Sequence, residues 1–193
     1  YRNNGGSSFT NTGQSSGSDS IWGDYNNDGK LDLFNYASHT LYRNTGIAFA
    51  NESSRLPAFA MSNTRGAVWA DLDNDAYIDL YVGGYESPGY EPDMILHNEA
   101  GSRFTAAWTQ SGDVDPARGI TAADYDRDGD QDVYVSNYRL EANLLWRNNG
   151  DFSFTNAAKN GGVAGEYDGW SYSYGHTIGS CWGDFNNDGY LDL

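Results

Sequence analysis

The chain has 193 residues, with 27 acidic against 11 basic side chains and a formal net charge of −16. A surface of that sign repels nucleic acid and anionic membranes, and no apolar run approaches the ~18 residues of a membrane span, so neither nucleic-acid binding nor membrane insertion is expected. The 24 glycines, 15 tyrosines, 8 phenylalanines and 6 tryptophans point to short strands and tight turns around an aromatic core, and a single cysteine excludes an internal disulfide.

In chain order, the first elements are Tyr1-Arg-Asn-Asn and Phe9-Thr-Asn, two short strands over residues 1–12. A larger unit follows over about residues 20–60, with Trp22-Gly-Asp-Tyr-Asn-Asn-Asp-Gly-Lys-Leu-Asp-Leu33, then Leu41-Tyr-Arg-Asn44 and Phe49-Ala-Asn. The unit recurs over about residues 67–110, with Trp69-Ala-Asp-Leu-Asp-Asn-Asp-Ala-Tyr-Ile-Asp-Leu80, Ile95-Leu-His-Asn98 and Phe104-Thr-Ala. It recurs again over about 120–158, around Ala122-Ala-Asp-Tyr-Asp-Arg-Asp-Gly-Asp-Gln-Asp-Val133, Leu144 to Asn148 and Phe154-Thr-Asn. A fourth copy over 180–193 carries Trp182-Gly-Asp-Phe-Asn-Asn-Asp-Gly-Tyr-Leu-Asp-Leu193. The leading aspartates at 24, 71, 124 and 184 are spaced by 47, 53 and 60 residues.

Each copy reads as strand, Asp loop, strand, turn, strand, glycine turn, strand. Four strands at that period predict an all-β fold, a β-propeller of four-stranded antiparallel blades forming a single region over residues 1–193. One blade cannot bury both faces alone, so neighbours must stack. Residues 1–12 match the end of a preceding blade and the fourth copy stops at its loop. The expected architecture is therefore a segment of a larger ring of six to eight blades.

The chemistry lies in Asp-x-Asp/Asn-x-Asp-Gly-x-x-Asp, which gathers 15 of the 27 acids into four clusters. Ca²⁺ takes six to eight oxygens at about 2.3–2.6 Å, which a curled loop supplies from positions 1, 3, 5 and 9 and the position-7 carbonyl. The predicted ligands are Asp24, Asn26, Asp28, Lys30 and Asp32; Asp71, Asp73, Asp75, Tyr77 and Asp79; Asp124, Asp126, Asp128, Asp130 and Asp132; and Asp184, Asn186, Asp188, Tyr190 and Asp192. Unneutralised, such carboxylates repel one another, and about four Ca²⁺, one per repeat, would bring the net charge to −8. Mg²⁺ fits less well, since it favours few carboxylates and retained waters. An EF-hand or dockerin needs an acid at position 12, occupied here by Asn35, Val82 and Val135. Ala76 stands where the other loops have glycine, which predicts loop two to be the weakest calcium site.

At these residues the chain resembles the FG-GAP/VCBS repeat family, β-propellers related to the integrin α-chain head, and in particular the VCBS and ASPIC/UnbV subset. Ala76 and Ala122, the latter replacing the usual Trp, depart from the pattern. The resemblance implies calcium within the blades, an extracellular or cell-surface location, and adhesion or recognition of a carbohydrate or protein ligand.

Among single residues, Cys181 aligns with Ile21, Val68 and Thr121 and is expected in the core. His97 aligns with Arg43 and Arg147 as a surface variation, and His39 lies in a turn with no acidic residue nearby in sequence. The stretch Tyr167, Trp170, Tyr172, Tyr174 and His176 forms either a ligand-stacking platform or a mini-core beneath a loop, a choice that Tyr85 and Tyr90 also pose. Arg65-Gly66 and Arg118-Gly119 fall at one rim of a propeller channel, where they bind an anion or neutralise carboxylates. With no nucleophile or phosphate loop in the sequence, a non-catalytic calcium-binding adhesion or recognition module leads. A structural, self-associating repeat protein follows, and a propeller-type polysaccharide lyase, which the family resemblance allows although the sequence names no base, stands third.

Overall fold

The computed structural model describes residues 2–6, 8–11, 19–59, 61–86, 89–112, 114–165 and 176–193. The fold is all-β, and its only helical turn among these residues is a 3-10 turn at Ser53–Arg55. A two-stranded hairpin, β1 (Arg2–Asn3) and β2 (Phe9–Thr10), opens the chain. The first four-stranded blade comprises β3 (Ser20–Gly23), β4 (Asp32–Asn35), β5 (Thr40–Asn44) and β6 (Phe49–Asn51). The second comprises β7 (Thr64–Ala70), β8 (Asp79–Gly84), β9 (Met94–Asn98) and β10 (Phe104–Thr109). The third comprises β11 (Ala117–Ala123), β12 (Asp132–Asn137), β13 (Leu144–Asn148) and β14 (Phe154–Asn156). All three are antiparallel meanders in strand order, and the described sheets do not close into a ring. Among the described residues the fourth copy shows only the Gly183–Asp192 bridge that closes its loop.

Stacking, not the single blade, makes the core. β8 and β12 are buried at all six of their positions. On β8, Leu80 and Val82 face a cluster with Tyr25, Phe34 and Leu41 of the first blade, whereas Tyr81 between them faces one with Val133 and Val135 of the third. Tyr134, between those valines, turns to a third cluster with Leu145, Ala158 and Trp182. Period-two alternation thus appears as a continuous apolar run because both faces are covered.

Blade contact runs along the first strands. A Cβ on Gly66 would lie 2.8 Å from the Arg118 carbonyl oxygen, and one on Gly119 would lie 2.5 Å from the Ile178 carbonyl oxygen. The Arg-Gly pairs therefore mark positions where neighbouring backbones approach too closely for any side chain.

One expectation needs correction, and one open choice divides. Cys181 is exposed, not in the core, because among the described residues its segment forms no strand and no sheet covers it. Tyr85 is buried at 7% exposure, whereas Tyr90 stands 42% exposed.

Candidate metal loops and the opposite rim

In the three described blades the Asp loop connects the first two strands, and in all four copies its curl is held by its own side chains. In loop one the position-5 N–H, of Asp28, donates to Asp24 Oδ1 and Asn26 Oδ1, each at 3.0 Å, and the Gly29 N–H donates to Asp24 Oδ2 at 2.7 Å. Loop two repeats this from Asp75 to Asp71 (3.1 Å) and Asp73 (3.2 Å) and from Ala76 to Asp71 (2.9 Å). Loop four repeats it from Asp188 to Asp184 (3.1 Å) and Asn186 (2.9 Å) and from Gly189 to Asp184 (2.9 Å). In loop three the Gly129 N–H donates to Asp124 at 3.1 Å. The position-7 residues Lys30, Tyr77, Asp130 and Tyr190 each donate their N–H to the position-5 aspartate, at 3.1, 2.8, 3.0 and 2.9 Å.

Left-handed backbone is required twice in every loop. At position 4, Asn27, Asn74, Arg127 and Asn187 have φ of 55°, 61°, 65° and 57°. At position 6, Gly29, Gly129 and Gly189 have φ of 81°, 100° and 88°, and Ala76 adopts the same turn at φ 72°. Alanine there carries a strain of about 1 kcal/mol that glycine avoids.

The position-9 aspartates are fully buried in the three complete blades. Asp79 accepts from the N–H of Leu72 (3.0 Å) and of Asn98 (2.8 Å), and Asp132 accepts from Tyr125 (3.1 Å) and Asn148 (2.8 Å). Burial pushes each carboxyl up to about 6, against those donors and helped by the neighbouring loop carboxylates. Oxygens of Asp71, Asp73 and Asp79 lie within 4.8 Å of one another, as do those of Asp124, Asp126 and Asp132. Asp124 Oδ1 is shielded from solvent and has no hydrogen-bond partner among the described residues. Three converging carboxylates, with a partnerless oxygen on one of them, fit a Ca²⁺-type cation. Positions 1, 3 and 9 thus converge in loops two and three, while position 5 in loop two groups with Asp73 and His97 instead. Val82 and Val135 at position 12 lie in the blade cores.

Neighbouring loops touch in series. Asn27 Nδ2 donates to the Ala76 carbonyl (3.0 Å), Asn74 Nδ2 donates to Asp130 Oδ1 (2.6 Å), and the Arg127 guanidinium lies 5.1 Å from the Tyr190 ring. A second tie comes from the Asn ending each third strand. Asn98 Nδ2 donates to the Tyr25 carbonyl of the preceding loop (2.7 Å) and to the Ile78 carbonyl of its own (2.9 Å), while its Oδ1 accepts from Gly101 N–H (2.8 Å). Asn148 does the same through Leu72 (2.9 Å), Gln131 (3.2 Å) and Gly150 (3.0 Å). Among the described residues Asn44 reaches only its own loop, donating to the Leu31 carbonyl at 3.1 Å. Sequence reasoning noticed the repeated motif but missed this role; its signal was the Asn recurring at 44, 98 and 148. Asn98→Ala is expected to destabilise the chain by ~3 kcal/mol in urea unfolding, since it orphans two carbonyls, and Asn44→Ala by under ~1 kcal/mol. Equal costs would remove the inter-blade role.

The first three of these loops each open a match to a known repeat family. A family model described as the FG-GAP-like repeat matches residues 24–82, 71–135 and 124–193, beginning each time on the first aspartate of a loop. The chain belongs to the FG-GAP-like repeat family. No curated protein matches it.

The FG-GAP-like blades place a different chemistry at the strand ends opposite the loops. Arg118 lies 4.9 Å from the Tyr85 ring centroid and 4.8 Å from that of Tyr138, with Arg65 5.8 Å from Tyr85. Among the described residues Arg118 lies against these two rings, while Arg139 nearby pairs with Glu86 at 2.6 Å. The His176 ring lies 4.5 Å from Tyr138, and Thr177 N–H donates to the Asn137 carbonyl at 3.0 Å, so this end of the expected platform joins the same rim. Tyr167, Trp170, Tyr172 and Tyr174 lie outside the described residues. His39 is stacked on Phe59 at 4.0 Å with its Nε2 3.2 Å from Thr64 Oγ1, and burial lowers its pKa. His97 is not the expected surface variation, because it points into loop two.

Proposed function

We propose that this chain is a non-catalytic, calcium-binding propeller module, acting outside the cell or at its surface, that recognises a carbohydrate or an extracellular protein. FG-GAP repeats fit a propeller-type module of the kind often involved in ligand recognition. The calcium reading is carried by the convergence of Asp124, Asp126 and Asp132 within 4.8 Å, together with the Asp124 oxygen that has no partner among the described residues. Calcium there offsets the carboxylate repulsion and ties the loops of neighbouring blades into one rigid edge. Recognition is assigned to the opposite rim, where arginine and aromatic faces suit the stacking of sugar rings or protein side chains.

Equilibrium dialysis of the chelator-stripped chain against calcium checks this reading. Three to four ions per chain are expected, with loop two the weakest calcium site and Asp132→Asn retaining one fewer. Retention of none defeats the calcium reading. With calcium loaded, glycan and matrix-protein arrays are expected to give binding that Arg118→Ala weakens at least tenfold; blank arrays defeat the recognition reading.

A further inference from the structure

Loop two differs from its neighbours in the side chain that overhangs it. In repeat one that position on the third strand is Arg43, which pairs with the position-5 aspartate, Asp28, at 3.2 Å. In repeat two it is His97. Its Nδ1 lies 3.2 Å from Asp73 Oδ2 and 3.2 Å from Asp79 Oδ1. Ligand atoms of His97, Asp73 and Asp75 fall within 4.8 Å of one another. The substitution replaces a fixed cation with a nitrogen lone pair above four aspartates.

We propose that loop two is a mixed nitrogen–oxygen site, in which His97 joins Asp73 and a further loop aspartate to hold a borderline divalent cation of the zinc type. The inference rests on the loops being metal sites and assigns one of them a different ion. Zinc binds imidazole nitrogen and carboxylate oxygen at about 2.0–2.2 Å, which in a tetrahedral shell sets ligand atoms about 3.3–3.5 Å apart. The 3.2 Å spacings from Nδ1 to both carboxylates are already close to that separation. Calcium prefers an all-oxygen shell of six to eight ligands at longer distance, and imidazole adds little to such a shell. The Phe152 ring of the next blade packs edge-on against His97 at 5.3 Å and 63°, holding the imidazole toward the loop. Asp79, fully buried, is in turn fixed by the N–H groups of Leu72 and Asn98, the kind of outer support that orients metal ligands. The alanine that strains loop two for calcium is irrelevant to a three- or four-ligand site at its mouth.

The test titrates the chelator-stripped chain with zinc and then with calcium by calorimetry, while imidazole nitrogen resonances of His39, His97 and His176 are followed by NMR. Zinc is expected to bind at one equivalent, moving the Nδ1 resonance of His97 alone. His97→Arg, carrying the residue native to repeats one and three, is expected to weaken zinc at least tenfold while calcium binding at the other loops and the melting temperature are retained. His97→Gln, which removes the imidazole without adding charge, is expected to do the same. Zinc binding that is unchanged in both variants, or that leaves the His97 resonance in place, overturns the proposal, because His97 is then only an ion-pair partner of Asp73 and Asp79. Calcium binding without zinc binding overturns it while leaving the calcium reading intact; absence of both ions overturns the two together.

Discussion

Millimolar calcium added to the chelator-stripped chain is expected to raise its melting temperature by about 15 °C or more, with the same concentration of magnesium giving a small fraction of that. A ligand at about a hundred times its dissociation constant adds ~2.7 kcal/mol per site, and a chain of this length gains ~2–4 °C per kcal/mol, so two filled sites suffice. The effect carries a definite pH dependence. Without a cation, Asp79 and Asp132 sit at about 6, above the ~3.9 of an unfolded aspartate. Their protonated forms favour the folded state, so that contribution is present below pH ~4 and is lost as pH rises through about 6. Calcium needs both groups ionised, so its increment is expected to grow between pH 5 and 7.5. Scanning calorimetry at the two pH values, with and without calcium, checks both signs. A calcium increment that stays constant across this range speaks against these carboxylates as ligands.

Asp93→Asn is expected to stabilise the chain at pH 8 by on the order of 4 kcal/mol and to leave it nearly unchanged at pH 4. Asp93 is fully buried at the start of β9, accepting from the Tyr81 hydroxyl (2.5 Å) and from Gly84 N–H (2.9 Å), and its own N–H donates to Gln110 Oε1 (3.1 Å). Burial lifts its carboxyl to about 7, with Asp115 pushing the same way and the Tyr81 and Gly84 donors opposing. A group raised in the folded state stabilises below its unfolded value and loses that contribution as pH rises, here between about 4 and 7. The third blade already contains the neutral version. Asn143 stands at the equivalent position, and its Oδ1 accepts from the Asn137 N–H at 2.9 Å as Asp93 does from Gly84. The amide therefore fits the site, and only the charge is removed. Chemical unfolding of both chains at pH 4, 6 and 8, without metal, gives the difference; parallel curves at all three would mean that Asp93 ionises freely in the folded chain.

The blade pattern was legible because each of its determinants is local. Strand alternation, Asp-Gly loops and glycine turns recur within about 60 residues, so aligning four copies exposes them without knowledge of the fold. The loop aspartates belong to the same class: their backbone contacts reach four or five residues along the chain, as from Asp24 to Asp28 and Gly29. His97 escaped because alignment with Arg43 and Arg147 identified the position as exposed but not the direction of its side chain. Cys181 was misplaced for the opposite reason, since its alignment with buried strand positions assumed a sheet that does not cover it among the described residues.

The sequence by itself determined the repeat, the antiparallel four-stranded blade and the acid-rich loop within it. Tertiary structure alone decided how the copies speak to one another. Asn98 reaches a carbonyl 73 residues earlier and Asn148 one 76 residues earlier, Arg118 is flanked by tyrosines from two blades, and Tyr81 and Leu80 part company to opposite cores. Such contacts depend on the rotation and spacing between stacked sheets. Those are set by the summed packing of many side chains and by close backbone approaches such as Gly66 to Arg118, and no single repeat encodes them.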